Sequence, residues 1–125
     1  GFKEQPEKII SGGPMMGFAM FGLDVPTTKT TSALLCMTKD EVAAAENIAT
    51  ACINCGRCVE ACPEQIVPSR LSKFAQHGDM ASFEKWHGME CVECGSCSFI
   101  CPAKRPLAQY IKTMKKQIIA ERRKK

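Results

Sequence analysis

Apolar residues near the end of the chain recur with a helical period. Leu107, Tyr110, Ile111, Met114 and Ile118 stand at i, i+3, i+4, i+7 and i+11, a stripe along one face of a helix expected over residues 106–125. The protein core is the ordinary destination of such a stripe. Two shorter helices are expected upstream. Pro68 suits a first helical position, and Leu71, Phe74 and Ala75 give residues 68–77 an apolar face. After Gly78-Asp79 the stripe resumes over residues 80–87 with Met80, Phe83 and Trp86. Further upstream, Thr38 and Glu41 form a capping-box pair, and Asp40 and Glu41 favour a helix N-terminus. An alanine-rich helix is therefore expected from Lys39 to Thr50, burying Val42, Ala45, Ile48 and Ala49.

Residues 1–37 follow another pattern. Lys8-Ile9-Ile10 is a strand candidate running into the turn signal Ser11-Gly12-Gly13-Pro14, and Ser32 to Met37 is a second, buried strand candidate. Between them Met15, Met16, Phe18, Met20, Phe21 and Leu23 form an apolar stretch broken by Gly17 and Gly22. So apolar a segment needs a surface to pack on, and one outside this sequence is expected. Gly12, Gly13 and Gly17 could bring backbone N–H groups to a phosphate. Without GxGxxG or a P-loop lysine, a structural turn is the better reading.

Composition excludes several classes. With 125 residues, 45% hydrophobic and 24% charged, the chain is globular and not disordered. No apolar run approaches the roughly 18–20 residues of a membrane span. The start Gly1-Phe2-Lys3-Glu4 is not a signal peptide and suggests a piece of a longer chain. The formal charge of +4 is uneven. Residues 103–125 hold nine basic side chains (Lys104, Arg105, Lys112, Lys115, Lys116, Arg122, Arg123, Lys124, Lys125) against Glu121, and the remainder is net acidic. A solvated helix end is the expected role of that tail, ahead of nucleic-acid binding or a contact with an acidic partner or membrane surface.

The nine cysteines change the picture most. Cys52-Ile-Asn-Cys55-Gly-Arg-Cys58-Val-Glu-Ala-Cys62-Pro63 recurs 39 residues later as Cys91-Val-Glu-Cys94-Gly-Ser-Cys97-Ser-Phe-Ile-Cys101-Pro102. Both copies are C-x2-C-x2-C-x3-C-P, the established spacing for [4Fe–4S] binding in bacterial two-cluster proteins, where the fourth cysteine ligates the other cluster. Three thiolates at this spacing let a tight loop wrap three corners of a cubane. Gly56 and Gly95 permit unusual backbone angles there, Ile53 and Val92 are placed to shield the site, and loop N–H groups can bond to sulfur. The expected sets are Cys52, Cys55, Cys58 and Cys101 for one cluster, and Cys91, Cys94, Cys97 and Cys62 for the other. The linking residues 63–90 are helical in pattern. The fold class expected is therefore mainly α: an α-helical ferredoxin-like two-cluster domain over 38–105, preceded by a β-rich segment over 1–37 and followed by a basic amphipathic helix over 106–125.

Other uses of the cysteines fare worse. Zinc takes four ligands and leaves no role for a third cysteine at this spacing. Disulfides between such near neighbours would be strained, and the ninth cysteine would be left over. A redox CxxC lacks a βαβ context. Cys36 fits neither motif and is expected to be a buried small hydrophobe. His77 and His87 have no ligand-like neighbours, Tyr110 and Trp86 are expected in the core, and no catalytic acid, base or nucleophile is assigned.

The segment Lys8-Ile-Ile-Ser-Gly-Gly-Pro-Met-Met-Gly17, the two cysteine motifs, and Pro106-Leu107 with Tyr110-Ile111 together resemble the C-terminal part of the C subunit of the Rnf complex. The cysteine motifs occur in many iron–sulfur proteins, so the upstream GGPMMG segment carries most of the discrimination. The resemblance implies a subunit of an ion-translocating ferredoxin:NAD oxidoreductase, peripheral on the cytoplasmic side of a bacterial inner membrane. It implies the other Rnf subunits and a ferredoxin or ferredoxin-like subunit as partners, with no nucleic acid. FMN and NADH sites are implied only for an N-terminal region outside this sequence. The competing expectations are the iron–sulfur relay subunit of a soluble flavoprotein dehydrogenase or reductase and, more weakly, a zinc-stabilised interaction module.

Overall fold

The computed structural model of the chain describes residues 1–39 and 50–124. It divides into two compact units, Gly1–Asn47 and Ile48–Lys125. The helix expected from Lys39 to Thr50 falls almost wholly outside the described residues.

The first unit holds a three-stranded antiparallel sheet in the order β2-β1-β3, with β1 Lys8–Ser11, β2 Phe18–Met20 and β3 Leu34–Met37. Ile9 pairs with Met20 on one side and Cys36 on the other, while Ile10 pairs with Ala19 and Leu35. Successive strand side chains point to opposite faces. Ile9 and Ile10 are both buried, so the central strand is covered on both faces. The turn after β1 is structural: Gly17 N–H donates to Gly13 O at 2.7 Å and Gly12 N–H donates to Ala33 O at 2.8 Å. A Cβ at Gly17 would run into the Ile10 side chain and the Ser11 and Gly13 carbonyls, so the close approach demands glycine. The second strand candidate is an edge strand and not a buried one: Leu34 is exposed and Leu35, Cys36 and Met37 are half-buried. Phe21 is almost wholly exposed, and Met15, Met16 and Leu23 are half-exposed.

The second unit is mainly helical: α1 Arg57–Glu60, α2 Pro68–His77, α3 Met80–Lys85, a 3-10 turn Gly88–Glu90, α4 Ser96–Ile100 and α5 Leu107–Lys124. Its main core joins Ile66, Leu71, Phe83, Ile111, Met114 and Ile118, with Phe74, Ala75, Met80 and Met89 around it. The predicted stripes on α2, α3 and α5 therefore meet one another. A smaller core gathers Cys58, Cys97, Leu107 and Ala108, with Val59 and Cys101 beside them. There α5 begins, Ala108 N–H donating to Ser98 Oγ of α4 at 2.8 Å.

Local chemistry ends each connecting helix. Gly78 takes a left-handed conformation at φ 70° after α2, and Asp79 accepts the Ser82 N–H at 3.0 Å to start α3. Helix α3 stops at Lys85, short of the expected His87, because His87 itself turns left-handed at φ 59°. A Cβ on Gly88 would enter the buried Phe83 ring, so glycine is required there too. The same exit corrects the expectation for Trp86, which is 38% exposed and not core. It lies instead under the Arg70 guanidinium, 5.0 Å from the ring centroid, and 6.1 Å from the tilted ring of Phe74. Tyr110 is half-buried. Among the described residues no helix is long and apolar enough to cross a membrane.

Candidate metal centres

The two cysteine motifs fold alike. In each, the residue before the second cysteine is left-handed (Asn54 at φ 56°, Glu93 at φ 60°), as is the glycine after it (Gly56 at φ 78°, Gly95 at φ 83°). A single turn of helix follows, α1 or α4, carrying the third cysteine. Left-handed residues in this alternation coil the loop tightly, and the glycines accept the angle without the Cβ penalty. Sequence periodicity missed α1 and α4, since four or five residues are too few to show it.

Helices α1 and α4 pack against each other. The fourth cysteine of each motif lies just past its short helix, and the chain carries it to the opposite loop. Cys52, Cys55, Cys58 and Cys101 line one hollow, together with Ile53, Ser69, Arg105 and Leu107. Cys62, Cys91, Cys94 and Cys97 line the other, together with Ile66, Pro68, Ala108 and Ile111. Thr50 N–H donates to Ala103 O at 3.0 Å, tying the entry to the first motif to the exit from the second. All nine cysteines are free of disulfides. Among the described residues no three Cys, His, Asp or Glu side chains converge on a point for one metal ion. The thiols ring hollows instead, four to each, which is the donor set and arrangement that suits a multi-iron core.

The electrostatics of the second site follow from its burial. Desolvation pushes the Cys97 thiol up to about 11 and also raises Cys91, because a thiolate there loses its water. The Ser96 hydroxyl beside Cys94, at 3.4 Å, lowers that thiol instead. The Glu93 N–H donates to Cys91 Sγ at 3.4 Å, an instance of the expected loop amide on sulfur. Lys115 Nζ donates to Cys91 O at 2.6 Å and pairs with Glu93 Oε1 at 3.2 Å. At the first site Cys52 Sγ lies 3.7 Å from Asn54 Oδ1, and Arg105 on the wall donates to Gln76 Oε1 at 3.3 Å.

Two expectations about this region meet the structure differently. Ile53 and Val92 each line their own loop's hollow, as expected, but they are 65% and 51% exposed, so neither is itself packed into a core. The basic tail is not uniformly solvated. Lys112 is buried and Lys115 is 14% exposed, whereas Arg122, paired with Glu84 at 2.7 Å, stays exposed as expected. Linear charge counting could not see this, but helical spacing places Lys115 four residues beyond the buried Ile111. His87 Nδ1 lies 3.0 Å from Glu90 Oε1 in an exposed surface pair, and His77 is exposed; neither lines either of the two cysteine hollows. Cys36 is half-buried in the first unit.

Comparison with known proteins agrees with the motif. The family of 4Fe-4S dicluster domains matches residues 51–105. Over its length the chain is 46% identical to the C subunit of the Na(+)-translocating ferredoxin:NAD(+) oxidoreductase complex of Acetobacterium woodii, covering 99% of this chain and 28% of that protein. It is 48% identical to the C subunit of the proton-translocating ferredoxin:NAD(+) oxidoreductase complex of Clostridium ljungdahlii, over 94% of this chain and 25% of that protein. It is also 37% identical to the C subunit of the ion-translocating oxidoreductase complex of Methanosarcina acetivorans, over 98% and 27%. The chain thus spans about a quarter of the length of these relatives.

Proposed function

The chain is a relative of one part of the C subunit of ion-translocating oxidoreductase complexes, and from that premise we propose that it is a two-cluster electron relay within such a complex. In this reading Cys52, Cys55, Cys58 and Cys101 hold one [4Fe–4S] cluster, and Cys62, Cys91, Cys94 and Cys97 hold a second, in an α-helical ferredoxin-like domain. The observation that carries it is the sorting of the eight motif thiols into two hollows of four, each taking three from one motif and one from the other. A bound [4Fe–4S] cluster takes up and returns one electron at a time, with no proton or bond rearrangement required.

The residues of the chain supply the rest. The crossed fourth cysteines tie the two loops together and fix the separation of the sites. Leu107 on one side and Ile66, Ala108 and Ile111 on the other exclude water from the inner faces. Two one-electron sites in so small a domain can couple single-electron steps to a two-electron partner. The relay runs between a flavin or NADH site outside this sequence and other subunits of the complex or a ferredoxin. Its place is at the cytoplasmic periphery of the membrane.

Iron analysis tests the reading directly. Anaerobically purified or reconstituted protein should hold about eight irons per chain; four or fewer would refute it. Cys62→Ala should disturb the cluster of the second loop, and Cys101→Ala that of the first. The reverse pattern, read from the surviving electron paramagnetic resonance signal, would overturn the crossed assignment.

A further inference from the structure

Lys115 is a cation held against the second cysteine loop. Its Nζ is held between the carbonyl of Cys91 at 2.6 Å and the carboxylate of Glu93 at 3.2 Å. Its side chain is 14% exposed and that of Glu93 is 33% exposed, so solvent screens the pair far less than it would a surface pair. Helical register explains the placement. Ala108, Ile111 and Lys115 follow one another at three and four residues on α5. The face that lines the second hollow through Ala108 and Ile111 therefore continues, one turn on, as an ammonium group. The first loop has no such pair among the described residues: Asn54 stands where Glu93 stands in the second, and the cation on that hollow's wall, Arg105, is bonded to the neutral Gln76.

We propose that the Lys115–Glu93 pair sets the reduction potential of the cluster held by Cys62, Cys91, Cys94 and Cys97 apart from that of its neighbour. This rests on the two-cluster reading above. One-electron reduction adds one negative charge to the cluster, the electron coming from the reductant used, and forms or breaks no bond. A fixed cation on the loop favours the reduced form and raises the potential, whereas a fixed carboxylate opposes it. Lys115 and Glu93 thus act in opposite directions on the same site. The balance between them leaves the neighbouring cluster largely untouched, because the pair is anchored on the second loop alone.

The test uses the holoprotein, with iron counted on the same samples. Redox titration with dithionite is followed by electron paramagnetic resonance, the two signals being assigned with the Cys62→Ala and Cys101→Ala variants. Lys115→Gln should shift the second-loop cluster to lower potential and Glu93→Gln should shift it higher, with the other cluster in place. Lys115→Arg should stay close to the parent protein. Three results would overturn the proposal: no shift in Lys115→Gln, an equal shift of both clusters, or a shift in Lys115→Arg as large as in Lys115→Gln. Should Lys115→Gln lose iron, Glu93→Gln decides, and an unmoved potential at full iron content marks the pair as structural only. Four or fewer irons in the unsubstituted protein would instead refute the two-cluster reading itself.

Discussion

The two cysteine motifs are near copies, yet the fold gives them unlike surroundings. Around the first hollow, Cys55, Gly56 and Ile53 are exposed, and the polar Ser69 and Arg105 stand on its wall. Around the second, Gly95 is buried, as are Ile66, Pro68, Ala108 and Ile111, and Lys115 closes over the loop, while the third cysteines, Cys58 and Cys97, are buried alike. The cause lies in α5. Its first residue, Leu107, reaches the first hollow, while Ala108 and Ile111 back the second. Ile111 also belongs to the main core with Leu71 and Phe83, so the second site inherits the support of that core. A repeated motif can specify the same ligands twice and leave solvent access and local charge, which tune a cluster, to the rest of the fold.

The largest effect should come from severing that support. Ile111 is fully buried and Leu107 nearly so, and truncating either to alanine should cost about 2–5 kcal/mol in stability. Ile111→Ala should lie at the upper end and release iron preferentially from the second site; Leu107→Ala should weaken the first. Thermal unfolding with parallel iron analysis measures both. Iron loss from the opposite site in either variant would break the asymmetry.

A smaller contrast separates the two loop glycines. Both are left-handed, so an alanine at either carries roughly 1–2 kcal/mol of backbone strain. A Cβ at Gly56 would meet open space, so strain is its whole cost. Gly95 is buried where Gly56 is exposed, so its loop has less freedom to relax that strain. Gly95→Ala should therefore destabilise more than Gly56→Ala in denaturant unfolding. Equal losses would mean that the second loop is no more tightly packed than the first.

Much of this asymmetry was hidden in the sequence for identifiable reasons. The spacing of the eight cysteines marked them as candidate ligands, and the crossed sets proposed for them came from the general pattern of two-cluster proteins. Periodicity gave α2 to the residue and the buried stripe of α5, since ten and eighteen residues suffice to show a face. It failed at Trp86, where the left-handed turn at His87 takes the chain out of helix, a conformation no apolar pattern encodes. It passed over β2, whose three residues lie within an apolar stretch with no alternation to read. The inward placement of Lys115 needed knowledge of which loop lies beside α5. Charge counted along the chain assigned it to a solvated tail.

The smallest expected effect reaches the second site through its supporting core. The Asp79 carboxylate is held below the ordinary carboxylate range by its hydrogen bonds from Ser82, and it starts the helix that carries Phe83. A group whose value is depressed in the folded state binds more protons when unfolded. Its contribution is therefore complete above about pH 4, the ordinary carboxylate value, and disappears as pH falls through the lower folded value. Asp79→Asn retains an acceptor for the Ser82 N–H but cannot titrate. As pH falls below about 4, the melting temperature of the parent should fall more steeply than that of the variant. The variant serves as the reference for acid effects elsewhere in the molecule. Parallel curves would show that this cap contributes nothing titratable, and the second site would then depend on apolar packing and on Lys115 alone.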